Sequence, residues 1–392
     1  MRKTAPKVVL LSAIILLFLS ACTSNSGIFA GGNWQSSGLP HQHIRALAVD
    51  FNNPQVIYAA SSQGKNFTSN DGGQHWIERS SGLPTDSSIN VLSFDTTGKK
   101  LYAATGAGLF VSTDAALHWN KVAARGPFNF TALAFNFREP HTMYAGTAFQ
   151  GVLRSSDDGN TWSSANTGLP PGIAINSLTF DSENQQLWAA TSSGVYRTDD
   201  KGLGWQAVNT GLPTSIVVYS VQPDTIVPGG TRGLIFAGTN HGFFFSQDAG
   251  AHWTSSQDSL VGTNVRVIYV DFHKPTTLFV GTDVGVLRSD NSGQNWGGVG
   301  SGMPRNQSVY AIMWGTTGYT QLFAAADDVY MYPGTGGGFG FNRLIELLIV
   351  AVFFYALYRL ARRRRRTSRT DRNAEQSKVE KGSDLAKTSN LT

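Results

Sequence analysis

The chain has 392 residues but only 8 His and 26 Asp plus Glu, few enough to follow each candidate for chemistry in turn. Asp283, Asp327 and Asp328 are the acidic residues whose placement could make a catalytic pair. Glycosidic bond cleavage needs two carboxyl groups about 5 Å apart for retention, or roughly 6.5–9.5 Å apart for inversion. Other groups able to hold a ligand are His41, His43, Arg45, Arg125, Phe149, His241, Arg266 and Arg305. Serine-nucleophile chemistry has no local signature, since Gly-x-Ser-x-Gly is missing. Cys22 is the single cysteine, which rules out an intrachain disulfide and a thiolate metal cluster. Segments such as DDGNTW are rich in Asp and Gly, yet they lack the alternating oxygen ligands and distant glutamate of a calcium loop. No metal and no cofactor is expected.

The elements that would position these residues come from a repeat. Six segments end in tryptophan: SNDGGQHW, STDAALHW, SSDDGNTW, TDDKGLGW, SQDAGAHW and SDNSGQNW. Their tryptophans, Trp76, Trp119, Trp162, Trp205, Trp253 and Trp296, are spaced by 43, 43, 43, 48 and 43 residues. The slots before them hold Ser69, Asp71 and Gly73; Asp114; Asp157 and Gly159; Asp200 and Gly202; Asp248 and Gly250; Asn291 and Gly293. An aspartate in a tight turn accepts backbone N–H bonds, and glycine two residues later permits a positive φ. The tryptophan is expected to pack between units with its indole N–H satisfied. Ala116 replaces glycine in the second copy and Asn291 replaces aspartate in the sixth, so those two turns are expected to be less regular.

Each unit reads as four short strands broken by Gly, Pro and Asp turns, an antiparallel meander. A radial array of such sheets is a β-propeller. Trp188 and Trp314 lie within strand patterns and read as core. Asp50, Asp95, Asp181 and Asp271 recur after the first strand and read as turn formers. The longer spacing is explained by a long loop between the first two strands of the fifth unit. The segment NWQSSGLP, residues 33–40, matches the ends of later units but has no strands before it. Residues 309–332 supply three strands without a box. The two fragments together complete a seventh blade. The fold class is therefore all-β: a seven-bladed propeller of four-stranded antiparallel blades, closed by the N-terminal strand, over residues 33–332.

The Ser-x-Asp-x-Gly-x-x-Trp turns resemble the Asp-box, or BNR repeat. The chain is similar to photosystem II assembly and stability factors, to xyloglucanases and to sortilin-type receptors. The resemblance implies that the boxes lie structurally on one rim and that a ligand would bind at the other. That second rim would carry His41, His43, Arg45, Arg125, Phe149, His241, Arg266, Asp283, Arg305, Asp327 and Asp328. Sialidases of this family carry an arginine triad that is missing here, and the xyloglucanases use two propellers where this chain has room for one. The expected function is thus non-enzymatic binding of a protein or peptide, with a carbohydrate ligand or glycosidase activity as the alternative.

The two ends carry membrane signals. Arg2, Lys3 and Lys7 precede an apolar run at 8–19 and the sequence LSAC. This is a signal peptide resembling a bacterial lipobox over 1–22, in which Cys22 would be acylated. A linker follows at 23–32. At the far end, a Gly-rich linker at 333–342 leads into an apolar stretch, expected to be a transmembrane helix at 343–361, and then into a basic disordered tail at 362–392. Five consecutive arginines, 362–366, place that tail in the cytoplasm. The propeller is expected outside, tethered to membrane lipid at a bacterial cell membrane. Eight Arg and three Lys against four acidic residues in 359–392, with three cations at the N-terminus, make the intervening domain net acidic although the whole chain is +5. This charge distribution gives no nucleic-acid footprint.

Overall fold

The second strand of each unit shows why a 43-residue repeat becomes a blade. Ile57–Ser61, Leu101–Thr105, Met143–Thr147, Ile235–Thr239 and Leu278–Thr282 are buried at every position. A strand covered on both faces must lie between neighbouring sheets, and its small residues decide how closely they approach. A Cβ on Gly281 would come within 2.7 Å of Val267 and Val309, and one on Gly146 within 2.5 Å of Ile175. In a computed structural model, which describes residues 32–122, 128–181, 183–199, 201–224, 233–256, 260–271, 274–315 and 321–333, seven four-stranded antiparallel sheets form. Each packs on the next and the last on the first, closing a ring. Blade 1 comprises Ile44–Val49, Ile57–Ser61, Asn66–Ser69 and Ile77–Glu78, and the others follow the same meander. The fifth unit has its insertion between Val218–Pro223 and Ile235–Thr239. Trp188 and Trp314 are buried core residues.

Blade 7 is shared. Gln35–Ser36 pairs antiparallel with Val329–Pro333, Gln35 opposite Met331 and Ser36 opposite Tyr330. Ser37 N–H donates to Val329 O at 2.9 Å, and Leu39 N–H donates to Asp328 Oδ1 at 2.9 Å. The Ser36 hydroxyl donates to the second oxygen of Asp328. In blades 1 to 6 a box joins the third strand to the fourth. In blade 7 the chain enters the sheet near Gly32 and leaves it at Pro333 in that place, and Gly32 N–H reaches the Tyr332 hydroxyl at 3.1 Å.

The box turn has one geometry. Ser69 Oγ donates to Asp71 Oδ1 at 2.8 Å and accepts Gly73 N–H at 2.8 Å. The same carboxyl oxygen accepts the N–H groups of Gln74 and His75 at 3.0 and 2.9 Å. The expected irregularity at Ala116 and Asn291 is not found. Ala116 takes φ 64° and donates to Ser112 Oγ at 2.9 Å. Asn291 Oδ1 accepts Ser289 Oγ and Asn295 N–H, both at 2.9 Å. The turn requires an acceptor oxygen and a left-handed residue, and alanine and asparagine supply both. Asp200 lies outside the described residues. Asp50, Asp95 and Asp181 accept backbone N–H groups in the first turn of their blades, as expected of turn formers.

The tryptophans fall into two classes. Trp119 donates its backbone N–H to Ser81 O at 2.9 Å and its indole N–H to Arg79 O at 3.1 Å, both on the preceding blade. Trp205, Trp253 and Trp34 do the same to Thr167 and Ala165, Thr210 and Val208, and Ser301 and Val299. All four are buried. Each receives a preceding blade that ends in Gly-Leu-Pro or Gly-Met-Pro, and the glycine sits against the tryptophan carbonyl. A Cβ at Gly82, Gly168, Gly211 or Gly302 would lie 2.0–2.4 Å from that oxygen. Trp162 and Trp296 follow blades that lack this tripeptide, and both are only half-buried. Trp296 turns its indole N–H to Gly293 O within its own box, at 3.0 Å. The Trp162 indole nitrogen has no partner among the described residues, contrary to the expectation that every indole finds one. Trp76, which follows Gly38-Leu39-Pro40, is also half-buried, and its indole N–H donates across the seam to Ser37 Oγ at 3.2 Å.

Cys22, the lipobox and the helix expected at 343–361 lie outside the described residues. Among the described residues no helix is long and apolar enough to cross a membrane.

Candidate functional site

The first strand of blades 1 to 6 carries a bulge at its second position. The ladder skips a residue between Ile44 and Ala46, Ile89 and Val91, Phe130 and Ala132, Ile175 and Ser177, Val218 and Ser220, and Val265 and Val267. A bulge frees one side chain from the sheet pattern and re-aims it. The freed residues are Arg45, Asn90, Thr131, Asn176, Tyr219 and Arg266, with Tyr310 at the matching register of blade 7.

This ring of residues has two halves. In blades 2 to 4 the side chains are consumed by the neighbouring blade. Asn90 donates to Phe130 O at 2.8 Å, Thr131 to Ile175 O at 2.5 Å, and Asn176 to Val218 O at 2.7 Å. In blades 5, 6, 7 and 1 the residues alternate Tyr219, Arg266, Tyr310, Arg45. The Arg266 guanidinium lies 5.3 Å from the Tyr219 ring centroid and 5.4 Å from that of Tyr310. Arg45 stacks on the other side of the series, 3.9 Å from the Tyr310 centroid. Each is within range for a cation–π contact.

The two arginines differ in charge balance. Arg266 Nε binds Asp283 Oδ1 at 2.7 Å. Ser308 also donates to that oxygen at 3.0 Å, and Asn264 donates to the other. Burial raises the Asp283 pKa, but the Asn264 and Arg266 contacts outweigh it and leave the group below the usual carboxylate range. Arg45 is exposed, and among the described residues no carboxylate lies within ion-pair distance of it.

Beside Arg45, Asp327 is held from two sides. His41 Nδ1 is 2.8 Å from one oxygen and His43 Nδ1 is 2.6 Å from the other, while His43 N–H donates to Asp327 O at 3.1 Å. Both histidines occupy positive φ, 59° and 49°. A cavity of about 370 Å³ opens here, lined by His43, Arg45, Ser62, Asn306, Gln307, Ser308, Tyr310, Ala326 and Asp327. Gln307 Oε1 is buried without a hydrogen-bond partner among the described residues.

The structure therefore brings together His41, His43, Arg45, Asp327, Arg266 and Asp283. Of these, His43, Arg45 and Asp327 line the cavity, and the other predicted residues are not brought to the cluster. Asp328 is buried in the latch, one residue beyond the lining. His241 is on the blade 5 hairpin, with Nδ1 2.9 Å from Asn240 Oδ1. Phe149 and Arg305 are exposed loop residues, and Arg125 lies outside the described residues. Phe130 is core and Phe128 packs on it, with ring centroids 5.5 Å apart. Sequence reasoning missed Tyr219, Tyr310, Asn264, Gln307 and Ser308. Aligning the second position of every first strand would have exposed the Tyr/Arg alternation.

As a carboxylate pair, Asp283 and Asp327 are poorly equipped. A general acid must hold a proton near neutral pH. Asp283 is pushed the other way, and both Asp327 oxygens are engaged by histidines. Among the described residues no group of three His, Cys, Asp or Glu could hold a metal ion.

Comparison with known proteins follows the same geometry. Residues 109–258 match the DUF6242 beta propeller domain. A xyloglucanase of Hypocrea jecorina is 30% identical over 128 residues, which is 29% of this chain and 15% of that enzyme. Among solved structures, the GH74 xyloglucanase from Xanthomonas campestris superposes with a TM-score of 0.62 at 15% identity, over 78% of this chain and 54% of that one. YCF48 bound to D1 peptide superposes with a TM-score of 0.59 at 17% identity, over 77% of this chain and 97% of that one. The DUF6242 match and these structures share the propeller. The chain spans only about half of the xyloglucanase structure and a small part of the curated relative.

Proposed function

We propose that this chain is a membrane-anchored extracytoplasmic propeller that binds a protein or peptide partner and carries out no bond chemistry. The observation that carries the reading is the cavity beside Arg45. It offers an unpaired cation on an aromatic face, an unpartnered amide oxygen at Gln307 and several hydroxyl and amide groups, but no carboxylate free to act as acid or nucleophile. That set suits main-chain amides and an acidic or C-terminal carboxylate, which arginine recognises with paired N–H donors. A peptide occurs in the YCF48 structure, whose length this chain matches almost completely. The alternative is a carbohydrate ligand or glycosidase activity, favoured by the xyloglucanase relative.

The test compares the full-length protein with Arg45→Ala and Tyr310→Ala, each affinity-purified from its own membranes. A polypeptide retained by wild type and lost from both variants supports the reading. Turnover of xyloglucan that disappears in Asp327→Asn or Asp283→Asn overturns it.

A further inference from the structure

Both rims expose large apolar side chains: Phe149, Val261 and Val284 on the rim of the Arg45 cavity, at 75%, 72% and 58%, and four in consecutive blades on the other. On the rim that carries the boxes, Phe51 and Phe137 project from the first turns of blades 1 and 3, exposed at 72% and 65%. Leu117 and Leu203 project from the boxes of blades 2 and 4, exposed at 49% and 69%. First turns and boxes share this rim because they bond to each other, as Gly72 N–H does to Gln55 O at 2.9 Å and Asp158 N–H to His141 O at 3.1 Å. Phe51 and Leu203 thus belong to one run of consecutive blades, beginning next to blade 7. The same rim is where the chain enters at Gly32 and leaves at Pro333, in the place of the missing seventh box.

The box carboxylates accept turn N–H groups but stay partly exposed, at 37% for Asp71, 38% for Asp114 and 47% for Asp248. Lys99 and Arg138 are exposed on this rim and have no carboxylate partner among the described residues. Large apolar side chains flanked by cations are what an interfacial surface presents to a bilayer. Apolar stretches follow Pro333 and precede Gly32 within a short distance of sequence.

We infer that the box rim is a lipid-facing surface, in which Phe51, Leu117, Phe137 and Leu203 enter the headgroup region and the Arg45 cavity faces away from the membrane. This rests on the membrane-anchored reading above. Both tethers leave from the rim that carries these four residues, so anchoring and interfacial insertion act on the same side. A partner then approaches the arginine–tyrosine face from the aqueous phase.

The experiment uses the full chain with Cys22→Ser, reconstituted in phosphatidylcholine–phosphatidylglycerol vesicles. Phe137→Cys or His241→Cys carries an environment-sensitive fluorophore, and nitroxide-headgroup lipids serve as quencher. Flotation is measured on the same samples. The expected result is flotation of both proteins, with quenching at residue 137 at least about threefold that at 241. Substituting Phe51→Ser and Leu203→Ser should lower quenching at 137 without altering flotation. Flotation with equal or reversed quenching overturns the orientation while leaving anchoring intact. Failure to float overturns the anchored reading and this inference with it.

Discussion

Replacing Gly82 with alanine separates the inter-blade contact from ordinary backbone strain, provided Gly38→Ala is made beside it. The two glycines have nearly the same backbone, φ +91° and +95°. A left-handed conformation costs an L-residue about 1–2 kcal/mol. At Gly38 that is the whole cost, because a Cβ there would meet nothing within 4 Å. At Gly82 the Cβ would lie 2.0 Å from Trp119 O, 3.0 Å from its carbon and 3.3 Å from its nitrogen. Relief requires the blade 1 tail to move away from Trp119, which breaks two bonds: Trp119 N–H to Ser81 O and indole N–H to Arg79 O. Each bond contributes about 1 kcal/mol net, and a buried donor left unpaired costs roughly 1–3 kcal/mol. Gly82→Ala should therefore cost about 3–5 kcal/mol against about 1–2 for Gly38→Ala. The assay is urea unfolding of both variants, read as a shift in midpoint at constant slope. Equal midpoints would refute the lock and leave only backbone strain.

Three further outcomes follow from the same contacts. Trp205→Ala should destabilise by about 3–5 kcal/mol as a large core truncation, and Trp162→Ala by less than half of that, both measured by denaturant midpoint; similar values would remove the distinction between the two tryptophan classes. Asp328→Ala should cost roughly 3 kcal/mol or more, since it strips a buried acceptor from Leu39, Val329 and Ser36, and a circular-dichroism melt matching wild type would show that the latch does not depend on it. Asp114 is lowered to about 2 by the backbone N–H and ring of His118, with Ser112 adding to them, and Asp71 and Asp248 likewise reach about 2. A depressed carboxylate stabilises the fold above its unfolded pKa, and that contribution is lost as pH falls from roughly 4 through 2. Asp114→Asn should keep the turn, as Asn291 does, and flatten the dependence of melting temperature on pH in that window; an unchanged slope would deny Asp114 the role.

The fold was readable because it repeats. Six tryptophans at a near-constant spacing and a stray NWQSSGLP were enough to require a seventh blade closed by the N-terminal strand. The site was readable only in part. His41, His43, Arg45, Arg266, Asp283 and Asp327 lie in loops or strand starts that vary between blades, so their difference from the repeat marked them. Tyr219 and Tyr310 were hidden by resembling ordinary β-formers; the blade 5 bulge, a three-dimensional departure from strict alternation, frees Tyr219, and Tyr310 sits at the matching register of blade 7. Adjacent carboxylates in one hairpin look alike in sequence, while the turn between the second and third strands of blade 7 sends Asp327 to the cavity and Asp328 to the latch. The unequal tryptophans depend on a tripeptide that begins 37 residues earlier at Gly82 and Gly168 and 42 residues earlier at Gly211, and a local reading of each box does not connect them.

The tryptophan locks also set the ring's mechanics. Locked seams join blade 1 to 2, 3 to 4 to 5, and 6 to 7. The remaining seams, 2 to 3, 5 to 6 and 7 to 1, lack the paired tryptophan bonds, although Asn90 bridges the first and the Trp76 indole bridges the last through Ser37 Oγ at 3.2 Å. The seams 5 to 6 and 7 to 1 also carry the stacked pairs Tyr219–Arg266 and Tyr310–Arg45. A ligand seated on those pairs would reinforce two seams that the tryptophans leave without a full lock.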